Sequence, residues 1–114
     1  MKQRTLILVP FPFSDQSGLK VRPALVISND TYNNESKDII VAAVTSNITS
    51  SQYSMKIEQR DLDEGVLHAP SAIKIDSILK ISKTRVIKSI GAVNASTFSA
   101  IGKNVRELFK TTPR

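Results

Sequence analysis

Apolar residues along the chain gather in short runs rich in Val, Ile and Thr, broken by polar clusters about a dozen residues apart. This spacing predicts a small antiparallel β structure of about six strands: Leu6–Val9, Ala24–Ser28, Ile39–Thr45, Tyr53–Glu58, Ser71–Lys74 and Ile87–Ile90. The third run, Ile39-Ile40-Val41-Ala42-Ala43-Val44, has no polar position, so both its faces are expected to be covered at the centre of a sheet. In the fourth, Tyr53, Met55 and Ile57 alternate with Ser54, Lys56 and Glu58, the pattern of a half-exposed strand. Pro10-Phe11-Pro12-Phe13-Ser14-Asp15-Gln16-Ser17-Gly18-Leu19-Lys20 reads as a long surface loop, and such loops often carry function. After Asn94, a good N-cap, Phe98, Ile101, Val105, Leu108 and Phe109 fall on one helical stripe, with Lys103, Arg106 and Lys110 on the other face. One amphipathic helix therefore closes the chain, and a short helical turn is expected around Ser82–Arg85.

The chain has 114 residues, 40% of them apolar, and no cysteine, so a single domain spanning 1–114 with one disulfide-free core is expected. Its longest apolar run, Ile39–Val44, is far below the ~20 residues that cross a bilayer. Leu6–Val9 is too short for the core of a signal peptide, which makes the cytoplasm the expected location. Charge is uneven: residues 1–79 carry 8 bases and 9 acids, net −1, whereas residues 80–114 carry 8 bases and one acid, net +7. The overall +6 suits an anionic partner such as nucleic acid, although a solvated basic helix face would give the same total.

Composition removes several chemistries. There is no Cys for a thiolate, one His cannot build a His-rich metal site, and no Gly-rich phosphate loop is present. His68 reads as a structural or surface residue, and Asp61-Asp63-Glu64, between Arg60 and Gly65, as a solvated turn rather than a cation site. What remains are polar residues at strand ends. Arg22 precedes Pro23 and an apolar strand, and its planar, permanently charged guanidinium suits a phosphate. Thr45-Ser46-Asn47 closes the central strand, where a hydroxyl can bond a phosphate or sugar. Lys74 and Asp76 flank Ile75 and share one face of an extended segment, which by itself describes a surface ion pair.

Together these segments resemble a known family. Val9-Pro10-Phe11-Pro12-Phe13-Ser14-Asp15, then Arg22-Pro23-Ala24-Leu25-Val26-Ile27-Ser28, then Ala43-Val44-Thr45-Ser46-Asn47-Ile48 are similar to segments of the MazF/PemK (Kid) toxins of bacterial type II toxin–antitoxin modules. Ser71–Asp76 and Ile90–Asn94 look like the later strands of that family. The resemblance implies a mainly β fold, an SH3-like β-barrel of six to seven strands with a C-terminal helix. It also implies a homodimer that cleaves single-stranded RNA without metal or other cofactor, and a cognate antitoxin as partner. Arg22 and Thr45 take the positions of the family's catalytic arginine and threonine. Lys74 and Asp76 match an Arg and Asp of the Kid branch, with Lys in place of Arg. RNA contacts are expected at Phe11, Phe13, Ser14, Lys20, Ser46 and Asn47, although Phe11 and Phe13 equally suit barrel packing. Gln3-Arg4 stand where the family often has Gly-Asp.

The residues fit that chemistry. RNA supplies its own nucleophile, the 2′-hydroxyl, so a protein need only align it and stabilise negative charge on the phosphoryl oxygens. The products would be a 2′,3′-cyclic phosphate and a 5′-hydroxyl, and cleavage of messages would stop translation. Neither Arg nor Thr accepts a proton readily near neutral pH, which leaves Asp76 as the nearest candidate base. The alternatives are a CcdB-like gyrase poison, whose barrel is similar, and an inactive barrel that only binds RNA or a partner.

Overall fold

In a computed structural model describing residues 1–12, 19–48 and 51–114, seven strands form one antiparallel sheet. They are β1 (Thr5–Pro12), β2 (Leu19–Val26), β3 (Asp38–Thr45), β4 (Ser54–Ile57), β5 (Leu62–Gly65), β6 (Ser71–Ser82) and β7 (Lys88–Val93). The order β4-β6-β3-β2-β1-β7-β5 puts β3 and β2 near the middle, where the uninterrupted apolar run of β3 requires them. The sheet curls into a half-barrel, and two helices, α1 (Asp30–Glu35) and α2 (Ala95–Leu108), accompany it.

Period-two alternation gives the sheet two apolar faces. Leu6, Leu25, Ala42, Val44, Ile73 and Ile75 are buried on one, and α2 covers it with Phe98, Ile101, Val105 and Leu108. Ile7, Val9, Phe11, Ala24, Val26, Ile39 and Val41 line the other, which the curl turns inward and onto which Leu79, Ile81 and Val86 pack. Burial of each large aliphatic side chain is worth about 1.5–3 kcal/mol, so both faces contribute heavily to stability. The N-cap of α2 is Asn94, whose side chain accepts from Thr97 N–H at 2.8 Å. Asp61 anchors the same end: one carboxylate oxygen accepts from the Thr97 hydroxyl at 2.8 Å and the other from Glu58 N–H at 2.7 Å.

Several expectations change. Of the segment read as a loop from Pro10 to Lys20, the two flanks are strand, because β1 and β2 stay paired through Pro10↔Val21, Phe11↔Lys20 and Pro12↔Leu19, and residues 13–18 lie outside the described residues. Phe109 does not join the buried stripe of α2; it sits at the C-cap and is 71% exposed. Of the acidic cluster Asp61-Asp63-Glu64, read as a solvated turn, Asp61 ends a 3₁₀ turn, Gln59–Asp61, while Asp63 and Glu64 lie on the edge strand β5, paired with β7. That pairing is close: Gly65 has φ +87°, and a Cβ there would collide with the Ile90 carbonyl. Two smaller expectations hold: His68 is at the surface, and the short helical turn around Ser82–Arg85 is present as a 3₁₀ turn, Lys83–Arg85, capped by Ser82.

α1 is polar and short, and Asn33 explains why it is there. This fully buried amide donates to the carbonyls of Ser28, at 2.9 Å, and Met1, at 3.2 Å, and accepts from the Ser28 hydroxyl. Ser28 Oγ in turn accepts from Ile40 N–H at 2.9 Å, so one side chain joins the N-terminus, α1 and the start of β3. Asn33→Ala leaves these buried groups unpaired and should destabilise the fold by about 2–3 kcal/mol, lowering the thermal midpoint by roughly 10 °C. A thermal melt of the variant within a degree or two of the parent would refute this role.

Candidate active site

The position of Pro23 determines where the sheet opens. Ile27 N–H donates to Ile40 O at 2.9 Å, while Val26 O accepts from Arg4 N–H at 2.9 Å, so odd-numbered residues of β2 face β3 and even-numbered ones face β1. Continuing the β2–β3 register would set Pro23 opposite Val44, but proline has no N–H to donate. Pairing accordingly stops at Ala24↔Ala43, whereas β3 continues against β6 to Thr45↔Ala72. Beyond that point β2 and β3 are no longer joined, and Arg22 and Thr45 occupy the freed positions.

The third wall comes from a bulge. Ala42 pairs with Ile78 and Ala43 with Lys74, so Ile75, Asp76 and Ser77 have no opposite number on β3. Ile75 is fully buried in the core, which turns Lys74 and Asp76 to the other side, and Ile75 N–H donates instead to Tyr53 O at 2.8 Å.

Together these elements enclose a cleft of about 600 Å³. Phe11 and Arg22 line it from β1 and β2, Ala43–Asn47 from the end of β3, and Lys74 and Asp76–Leu79 from β6. Arg22 is exposed and Thr45 half-buried. Thr45 Oγ1 accepts from Asn47 N–H at 3.0 Å, which satisfies an acceptor site and leaves the hydroxyl proton free to donate elsewhere. That same bond shapes the turn carrying Ser46 and Asn47, both exposed at the rim. Asp76 is the one carboxylate among the described residues that line it. The ion pair that sequence suggested between Lys74 and Asp76 is not formed; among the described residues, neither side chain has an ion-pair or hydrogen-bond partner.

Of the residues singled out from sequence, Phe11, Arg22, Thr45, Ser46, Asn47, Lys74 and Asp76 meet in this cleft. Phe11 does so as a core residue, 5% exposed and packed with Val9 and Val41, so its ring is not available for stacking on a base. Lys20 is exposed on β2 but does not line the cleft. Phe13 and Ser14 lie outside the described residues. Sequence reasoning missed Ser77, whose only signal was the break in alternation after Ile75.

Comparison with known proteins gives a consistent answer. The pattern that defines PemK-like, MazF-like toxins of type II toxin–antitoxin systems matches residues 2–109. The chain is 32% identical over 89 residues to Endoribonuclease MazF of Staphylococcus epidermidis, covering 78% of this chain and 72% of that protein. It is 33% identical over 79 residues to Endoribonuclease MazF of Staphylococcus saprophyticus, covering 69% of this chain and 63% of that protein. Among solved structures, a mycobacterial endoribonuclease in complex with its cognate antitoxin superposes with a TM-score of 0.78 at 16% identity, over 99% of both chains. MazE–MazF from Deinococcus radiodurans superposes with a TM-score of 0.77 at 18% identity, over 98% of both chains, which supports the fold alone. A half-barrel with a helix across one face and a polar cleft where proline parts two strands is thus found in a chain that belongs to the family of PemK-like, MazF-like toxins of type II toxin–antitoxin systems.

Proposed function

We propose that this protein is the toxin of such a pair, an endoribonuclease that cuts single-stranded RNA in the cytoplasm by attack of the 2′-hydroxyl on the adjacent phosphate. The supporting observation is the convergence of Arg22, Thr45, Lys74 and Asp76 from three strands on one cleft. Arg22 holds the scissile phosphate through two N–H donors and stabilises the charge that builds on its oxygens. The Thr45 hydroxyl, its acceptor side already engaged by Asn47 N–H, donates to the same phosphate. Asp76 accepts the proton of the 2′-hydroxyl, and Lys74 adds positive charge beside it. Ser46 and Asn47 at the rim contact the flanking nucleotides. The O2′–P bond forms as the P–O5′ bond breaks, leaving a 2′,3′-cyclic phosphate and a 5′-hydroxyl, and the cut messages no longer support translation. Two copies form a dimer with a continuous RNA groove, and a cognate antitoxin with an acidic segment covers the cleft and prevents cutting.

Incubating the purified protein with a long single-stranded RNA in excess EDTA and mapping new 5′ ends tests this reading. Discrete cuts bearing 5′-hydroxyls are expected. Intact RNA in the presence of folded protein would overturn it and shift attention to a gyrase-binding or purely RNA-binding barrel.

A further inference from the structure

The positive charge of the C-terminal third is gathered at one place. Lys80 lies on β6, Lys83 and Arg85 in the 3₁₀ turn Lys83–Arg85, and Lys88 at the start of β7. Lys37 joins them, because Lys83 N–H donates to the Lys37 carbonyl at 3.0 Å. The turn carries the chain from β6 to β7, held by Val86 packed on the inward apolar face and by Ile87 N–H on Leu8 O at 2.8 Å. Five cations therefore follow one arch; Lys83 is half-buried and the other four are exposed. Among the described residues none of the five side chains makes an ion pair or hydrogen bond, and Asp38 is the one carboxylate within residues 37–38 and 80–88. Such crowding of like charge is unfavourable in the free protein and favourable once a polyanion lies over it. The arch also adjoins the cleft along the chain: Ile78 and Leu79 line the cleft, and Lys80 follows them directly on β6.

We infer that this arch binds the phosphates of the RNA strand as it leaves the cleft, an attachment surface outside the cleavage site. The inference rests on the cleft being an RNA site. A polyphosphate needs only spaced cations, whereas an amphipathic acidic peptide also needs apolar surface, and Ile87 is the one large apolar residue strongly exposed in the arch.

The test titrates full-length protein with a long, uncleavable 2′-O-methyl oligoribonucleotide over a range of salt concentrations. The parent is compared with a variant carrying Lys80→Gln, Lys83→Gln, Arg85→Gln and Lys88→Gln. At about 0.7 per contact on a single strand, the slope of log affinity against log salt should fall by about two to three, with binding weakened roughly tenfold or more at low salt. Cleavage of a short RNA that fills only the cleft should be unchanged, and Lys→Arg exchange at positions 80, 83 and 88 should keep the parent slope, which separates lost charge from a damaged fold. Parent-like affinity and slope in the glutamine variant would overturn the inference. So would unchanged RNA binding accompanied by lost binding of a polyglutamate peptide, which would assign the arch to a protein partner. A changed slope in a protein that cuts no RNA would uphold the arch while refuting the cleavage reading.

Discussion

Arg22→Ala is expected to lower RNA cleavage by at least about 10³-fold, or about 4 kcal/mol of transition-state stabilisation, while the protein still folds. The size of the effect follows from position and chemistry. Arg22 stands at the point where β2 has parted from β3, exposed at the cleft, and its side chain does not fill the core. It is the lining residue whose charge is fixed and whose planar donors match two phosphoryl oxygens. Arg22→Lys should recover little, since an ammonium restores the charge but not the paired donors. Single-turnover cleavage of a defined RNA, beside circular dichroism of each variant, makes the comparison. Cleavage by a folded Arg22→Ala protein within tenfold of the parent would remove Arg22 from the mechanism.

Asp76→Asn should cost about 10²–10⁴-fold, the usual contribution of a positioned proton acceptor. The amide has the same shape as the carboxylate but cannot take the proton of the 2′-hydroxyl, so the loss should fall on the cleavage rate rather than on RNA affinity. Asp76 makes no hydrogen bond or ion pair among the described residues, so its exchange leaves no partner stranded. Asp76→Glu should retain part of the activity. Equal rates for the parent and Asp76→Asn would assign proton acceptance to another group.

Much of this arrangement was legible in the sequence, and the exceptions have physical causes. β3 and α2 were readable because each is long and strongly patterned, and Asn94 marks where the helix begins. β6 was read only to Lys74 because the bulge at Ile75–Ser77 resets the alternation, and the strand resumes in the opposite phase. α1 was missed because its six residues carry no apolar period; a buried amide network holds it, and such a network leaves no trace in hydropathy. β5 looked like a turn because Asp63, Glu64 and Gly65 disfavour strand in isolation, and it depends on tertiary contacts: its pairing with β7 and the Arg4–Asp63 ion pair at 3.5 Å. Arg4 itself, with φ +77°, takes a left-handed conformation in the stretch where the family often has Gly-Asp. At the cleft, the residue types were legible but the mechanism of opening was not, because the effect of Pro23 depends on which neighbour its missing N–H would have faced.

The strand order bears on how the chain is made. β1 lies between β2 and β7, so it gains its second neighbour only when residues 88–93 are available. A growing chain can form the β1–β2 hairpin early, but Lys74 and Asp76 have no place until β6 has docked on β3, and α2 covers its face of the sheet only after that. A cleft that draws its walls from β2, β3 and β6 together therefore has no assembled form while only the segments before β6 have been made.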